Sequence, residues 1–258
     1  MSRRCALLAA AALLWPVTGC DEAVLDAVGL PPGVLTDGLV AHWALDEGGG
    51  AIARDSSGNG HDGQLTGGTW FADAQFGGGL RLAGGDAVAV PGFRAATPSW
   101  SVSLWLRLSN EQMAFNNNDT FTAILSTENI ASAGWSVNID KRLAQPRFVF
   151  SYWSPPLTGY IGTECSCVDT GEWVHWAAVV DVSTDRITLY RGGTVADQET
   201  RPSDIVAGDS TLYFGRWNMD GRSLHGDLDD IAVWQRALTP EEITVLTTQP
   251  PARAAATR

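Results

Sequence analysis

Ser101–Leu108, SVSLWLRL, alternates without a break. Val102, Leu104, Leu106 and Leu108 fall on one side of an extended chain, and Ser101, Ser103, Trp105 and Arg107 fall on the other. A period of two over eight residues is the pattern of a strand with one face on a core. The alternation recurs at Arg147–Trp153, where Phe148, Phe150 and Tyr152 share a side, and at Arg186–Arg191, where Ile187 joins Leu189. Trp173–Val182 is more uniformly apolar and predicts a central strand. Further short runs lie at Leu39–Leu45, Gly79–Leu82, Ala87–Val90, Ala123–Ser126, Trp135–Asp140, Leu212–Gly215 and Leu228–Trp234. Turns rich in Gly and Asp separate them, and Gly192-Gly193 offers the positive φ that a hairpin needs. About a dozen strands with almost no helix predict an all-β, antiparallel sandwich or barrel. One short C-terminal helix is predicted from Thr239-Pro240-Glu241-Glu242, a capping box with proline at the first helical position.

Composition agrees with this class. The chain has 258 residues, 45% of them hydrophobic, with 11 Trp and 28 Gly, a mixture that favours sheets joined by turns. Seventeen Lys and Arg against 29 Asp and Glu give a net charge of −12. Such a surface repels nucleic acid, so no nucleic-acid partner is expected.

The first residues have a different character. Arg3 and Arg4 precede CALLAAAALLW, residues 5–15, a run too short to span a bilayer as a helix, which takes about 20 residues. A basic start, a short apolar run and small residues predict a secretory signal over residues 1–19. VTGC, Val17–Cys20, resembles a bacterial lipobox, which implies lipidation of Cys20, a membrane attachment through that anchor, and a place in the cell envelope. Residues 20–37 then read as a tether broken by Pro31-Pro32-Gly33, residues 38–248 as one domain, and residues 249–258 as a loose tail. Cys165 and Cys167 remain in an oxidising compartment, where either a small disulfide clip or two thiols is expected.

The order of segments adds a resemblance. GLVAHWALDE, DSSGNGHDGQL, GGGLRLAGGDAVAVP, WSVSLWLRL, WVHWAAVVDVSTDRITLYRGG, LYFGRW and HGDLDDIAVWQRALTPEEI together resemble the LamG-like jelly roll of the concanavalin A-like lectin/glucanase superfamily. The resemblance runs from about Gly38 to Leu246. It implies a two-sheet jelly-roll sandwich, and adhesion or carbohydrate recognition more often than catalysis.

Three chemistries deserve a test against the residues. RDSSGNGHDGQL, Arg54–Leu65, opens like an EF-hand with Asp55, Ser57, Asn59 and Gly60, but position 12 is Thr66, which cannot give a bidentate carboxylate. The superfamily resemblance still implies one structural Ca²⁺, held by Asp46, Asp55, Asn59, Asp229 and Asp230; the alternative is that Asp55 and Asn59 only cap turns. Sugar stacking is expected of Trp105, on the polar side of its strand, and of Trp153, Tyr160 and Trp217, in stretches read as loops, with the Asn218 amide bonding hydroxyls. Catalysis has little support: no Glu-x-Asp-x-Glu triplet, serine elbow or zinc motif occurs. His175, in an apolar strand, reads as structural. The expectation is a lipid-anchored, non-catalytic module whose partner is a glycan, or alternatively a cell-surface protein, with a glycosidase third.

Overall fold

The computed structural model describes residues 34–94, 98–111, 121–127, 134–142, 145–153, 161–200, 210–217 and 223–251. After a turn of 3₁₀ helix at Val34–Thr36, sixteen strands follow among these residues. They are β1 (Leu39–Trp43), β2 (Ile52–Ala53), β3 (Gly63–Thr66), β4 (Thr69–Phe71), β5 (Gly79–Leu82), β6 (Ala87–Phe93), β7 (Trp100–Leu108) and β8 (Phe121–Ser126). Then come β9 (Gly134–Asp140), β10 (Arg147–Trp153), β11 (Ile161–Cys165), β12 (Val174–Asp181), β13 (Arg186–Arg191), β14 (Thr194–Thr200), β15 (Ser210–Phe214) and β16 (Gly226–Trp234). A helix near the C-terminal end of the described residues, α1, spans Pro240–Leu246.

All pairings are antiparallel, in two sheets of eight strands that make a jelly-roll sandwich. The first sheet runs β14-β13-β12-β7-β16-β5-β4, and the second β11-β10-β9-β8-β15-β6-β3-β2. β16 changes partner along one edge: β5 covers Gly226–Leu228 and β1 covers Ile231–Trp234. Its pairing with β7 on the other edge is interrupted between Asp229 and Ala232, and Asp230 takes a left-handed φ of 43°. A bulge of this kind re-aims side chains, which sets up the buried acids described below.

The core is what the alternation demands. Val102, Leu104, Leu106 and Leu108 are buried between the sheets with Trp43, Trp100, Trp135, Phe148, Phe150 and Phe214. Phe148 stacks on Trp176 with ring centroids 3.7 Å apart, and Trp43 meets Phe214 edge-on at 4.9 Å. Each such side chain, fully buried, contributes roughly 1.5–3 kcal/mol. The indole of Trp43 keeps its N–H satisfied by donating to the His61 carbonyl.

Five strands lack the sequence signal, namely β2, β3, β4, β11 and β14. Four are short and β14, Thr194–Thr200, is polar and largely exposed at a sheet edge. The loop expected around Ile161–Cys165 is instead β11, paired along β10. The β13–β14 hairpin has its two glycines at φ 55° and 80°, as its turn requires. In α1, Thr239 accepts from the Glu242 N–H while Glu242 accepts from the Thr239 N–H, completing the predicted capping box. Arg236 adds a fork onto the same Glu242 carboxylate. Ser101, on the side of β7 away from the core, accepts from the Leu238 N–H and donates to the Arg236 carbonyl, so the segment leading into the helix covers that side of the first sheet.

Candidate functional site

The loop from Arg54 to Asp62 is clamped by its own polar groups. Asp55 Oδ1 accepts from the His42 and Ser57 N–H groups, and Oδ2 accepts from the His61 N–H. Burial alone would raise the Asp55 pKa, but the Ser57 hydroxyl and these N–H groups outweigh it and hold the carboxyl below its ordinary value. Asn59 uses its amide nitrogen, donating to the Leu39 and Val40 carbonyls. Asp46 Oδ1 accepts from Gly78 N–H across the chain. These are turn clamps and strand tethers, and they fit the turn-capping alternative. Among the described residues no three His, Cys, Asp or Glu side chains converge as metal ligands. Calcium requires six to eight oxygens around one point, and this arrangement does not fit that demand.

The other two acids of the expected calcium set lie deeper, at the β16 bulge. Asp230 Oδ1 is 2.7 Å from His42 Nε2, and both side chains are buried. Asp229 Oδ2 accepts from the Phe76 N–H. Asp229 Oδ1 and Asp230 Oδ2 are buried without a hydrogen-bond partner among the described residues. Burial first, then the Asp230 charge, push the Asp229 carboxyl up to about 7. Burial also raises Asp230, against the opposing pull of His42. Alongside, His175 Nε2 lies 2.8 Å from Ser103 Oγ, and burial lowers the His175 pKa to about 4. His175 and Ser103 are 1% and 2% exposed, so this pair is a buried contact without access for a substrate, with His175 Nδ1 unpaired among the described residues.

Two residues earlier on β16 the picture reverses. Asp227 sits opposite Arg81 on β5 and opposite Arg107 on β7. Arg81 donates from Nε to Asp227 Oδ1 (2.7 Å) and from Nη2 to Oδ2 (3.0 Å). Arg107 donates from Nε and Nη2 to Oδ2 at 2.9 and 2.7 Å. Hydrogen bonds donated to Asp227, then the charge of that carboxylate, raise the Arg81 pKa. The guanidinium of Arg107 lies 4.8 Å from the Trp173 ring centroid and 5.7 Å from that of Phe71, and Arg81 lies 5.3 Å from Phe71. Gly79 makes room for this, since a Cβ there would stand 2.7 Å from the Phe71 ring. Beside the cluster an open cleft of about 500 Å³ is lined by Arg81, Arg107, Asp227, Asn110, Glu111 and His225, among others. Sequence reasoning missed this group. Its signal was present in the arginines of GLRL and LWLRL, which stand on the non-core side of otherwise apolar strands.

Of the aromatic residues expected to contact sugars, the side chains of Trp105 and Trp217 lie among the described residues. Trp105 does lie on the non-core side of β7, but that side is covered, and the residue is 8% exposed. Phe76 meets it edge-on at 5.8 Å and the His175 ring lies 5.4 Å away, so it offers no open face. Trp153 ends β10 opposite Gly134, with its side chain outside the described residues. Trp217 is half-buried just beyond β15. Tyr160, Asn218 and Cys20 lie outside the described residues. Cys165 and Cys167 are joined as a disulfide at the end of β11, their Cα atoms 5.2 Å apart.

The model of a laminin G family in the concanavalin A-like lectin/glucanases superfamily matches residues 82–244, and the chain belongs to that family. No curated protein matches it in sequence. Among solved structures it is similar to domain 4 of a GH43 extracellular arabinanase from Geobacillus stearothermophilus in complex with arabinotriose, with TM-score 0.64, 22% identity, and coverage of 81% of this chain and 98% of that one. It is also similar to the botulinum neurotoxin serotype D ligand-binding domain in complex with N-acetylneuraminic acid, with TM-score 0.62, 16% identity, and coverage of 82% and 51%. The binding domain of Paraclostridial Mosquitocidal Protein 1 gives TM-score 0.64 and 18% identity, with coverage of 83% and 52%. The chain spans about half the length of these two toxin domains, and at such identities the likeness is one of fold.

Proposed function

We propose that this member of the superfamily is a non-catalytic glycan-binding module, held in the bacterial cell envelope by acyl chains on Cys20. The observation that carries the binding role is the cleft beside Arg81, Asp227 and Arg107. It combines an open volume of about 500 Å³ with polar side chains fixed by neighbours, which is how small-ligand sites are built. The solved neighbours include two with a saccharide in their complexes, which supports the same class of ligand. A protein-adhesion role finds less support. The exposed large hydrophobics among the described residues are Ile52 and Val195, on edge strands of different sheets, so they form no continuous apolar patch. Catalysis finds less still: Asp229 and Asp230, the adjacent carboxyls, are buried beneath the surface rather than set across an open cleft.

The binding role is tested by screening the purified full chain against a glycan array and measuring the hits by calorimetry. Binding that Arg107→Ala abolishes supports the cleft, while binding untouched by that change places the site elsewhere. Anchoring is tested by metabolic labelling with radioactive palmitate. Label should enter the wild-type chain and be absent from Cys20→Ala; equal labelling of both would overturn the anchor.

A further inference from the structure

We infer that the Arg81–Asp227–Arg107 face takes a saccharide bearing a carboxylate, a uronate or sialate unit, with the sugar ring in the adjoining cleft. This rests on the glycan-binding role proposed above and narrows its ligand class.

The layering of charge is the first reason. The Asp227 side chain is 6% exposed, while Arg81 is 55% and Arg107 28% exposed. The acid lies beneath and the two cations face outward, so this trio carries one net positive charge in a chain whose balance is −12, while Glu111, 83% exposed, lines the same cleft beside His225. A positive trio on an otherwise acidic chain draws an anion to it.

The second reason is donor geometry. Each guanidinium has five N–H donors in a planar fork, and Asp227 engages only the Nε and Nη2 side of each. Among the described residues the Nη1 groups of both arginines have no partner. A carboxylate is the planar, two-oxygen acceptor that matches such an edge.

Third, the arginines are held before any ligand arrives. Asp227 fixes their edges, and Phe71 and Trp173 lie against their planes. Because the aromatic faces are covered by guanidinium, they serve to orient the cations and not to stack on a sugar. Little side-chain freedom is then lost on binding, which favours affinity. Asn110 and Ser109 on the cleft wall supply neutral polar groups for ring hydroxyls.

Calorimetry on the full chain with trigalacturonate and its methyl ester, and with sialyllactose and its methyl ester, tests the inference. Each pair differs in the carboxylate. At least one acid should bind tenfold or more tighter than its uncharged counterpart, and which acid does so separates uronate from sialate. Arg81→Gln should weaken the acid at least tenfold, and Arg81→Lys should weaken it too, since the charge is kept but the fork is lost. Thermal melting of each variant confirms folding, and Arg81, more than half exposed, tolerates replacement. Equal binding of acid and uncharged forms, lost in the Arg107→Ala variant, would overturn the inference and leave the glycan role standing. If neither these sugars nor any glycan on the array binds, the glycan role falls and the inference with it.

Discussion

Strand β16 begins GDLDD, and its acids live in two different worlds. Asp227 faces two arginines across both neighbouring strands and accepts four hydrogen bonds from them. Asp229 and Asp230 sit two and three residues on, at the bulge, buried, with His42 as the one titratable side chain bonded to the pair among the described residues. All three acids are buried, yet Asp227 anchors two partly exposed cations while Asp229 and Asp230 are costly groups with no arginine bonded to them. What differs is what lies opposite each. Asp227 is in a regular three-strand ladder, where alternation puts it in line with Arg81 and Arg107. Asp229 keeps that register but lies opposite Trp105, on a covered stretch, and the bulge that follows it re-aims Asp230 toward His42.

The sharpest way to break this contrast is to remove the buried partner. His42→Ala leaves Asp230 without its bond in a dry site, and should cost about 3–5 kcal/mol in urea unfolding. A loss below about 1 kcal/mol would show that water reaches the bulge.

The next test is pH. Asp229 has a folded value of about 7 against 3.8, so its contribution to stability is full below about 4 and is lost as pH rises toward 7. His175 has a folded value of about 4 against 6.5, so its contribution is full above 6.5 and is lost as pH falls toward 4. Between these limits the two oppose each other, with Asp230 acting in the sense of Asp229. Asp229→Asn should make the slope of stability against pH more positive by about 1.4 kcal/mol per unit, and His175→Gln should make it more negative by a like amount. Urea midpoints between pH 4.5 and 6.5 measure both, and unchanged slopes would mean that neither group is desolvated.

A smaller effect is expected at the Asp227 anchor. Asp227→Asn should cost about 1 kcal/mol, because both arginines are partly exposed, and the loss should shrink in high salt. A cost of 3 kcal/mol or more in calorimetric melting would erase the distinction between the two acid sites. The smallest effect concerns metal. With Asp55 already engaged by N–H groups, EGTA should leave the melting temperature unchanged, and a fall of several degrees would restore the calcium role.

Part of this was legible in the chain alone. SVSLWLRL placed Val102, Leu104, Leu106 and Leu108 in the core, and Thr239-Pro240-Glu241-Glu242 announced α1, because each rests on contacts between residues a few positions apart. Strand β14 escaped because an edge strand exposed on both faces carries no apolar alternation. Trp105 was assigned to the correct side of β7 and yet not to its surroundings, since alternation says which face a residue takes and nothing of what lies over that face.

The sequence by itself determined the apolar strands, their core faces, the capped helix and the family to which the chain belongs. Only the tertiary structure decided what each acid of GDLDD does. Asp227 meets arginines 146 and 120 residues away, and Asp230 meets a histidine 188 residues away. Strand period is a local property of the backbone, whereas a charge's partner and its depth depend on which distant strand lies alongside and where a bulge breaks the ladder.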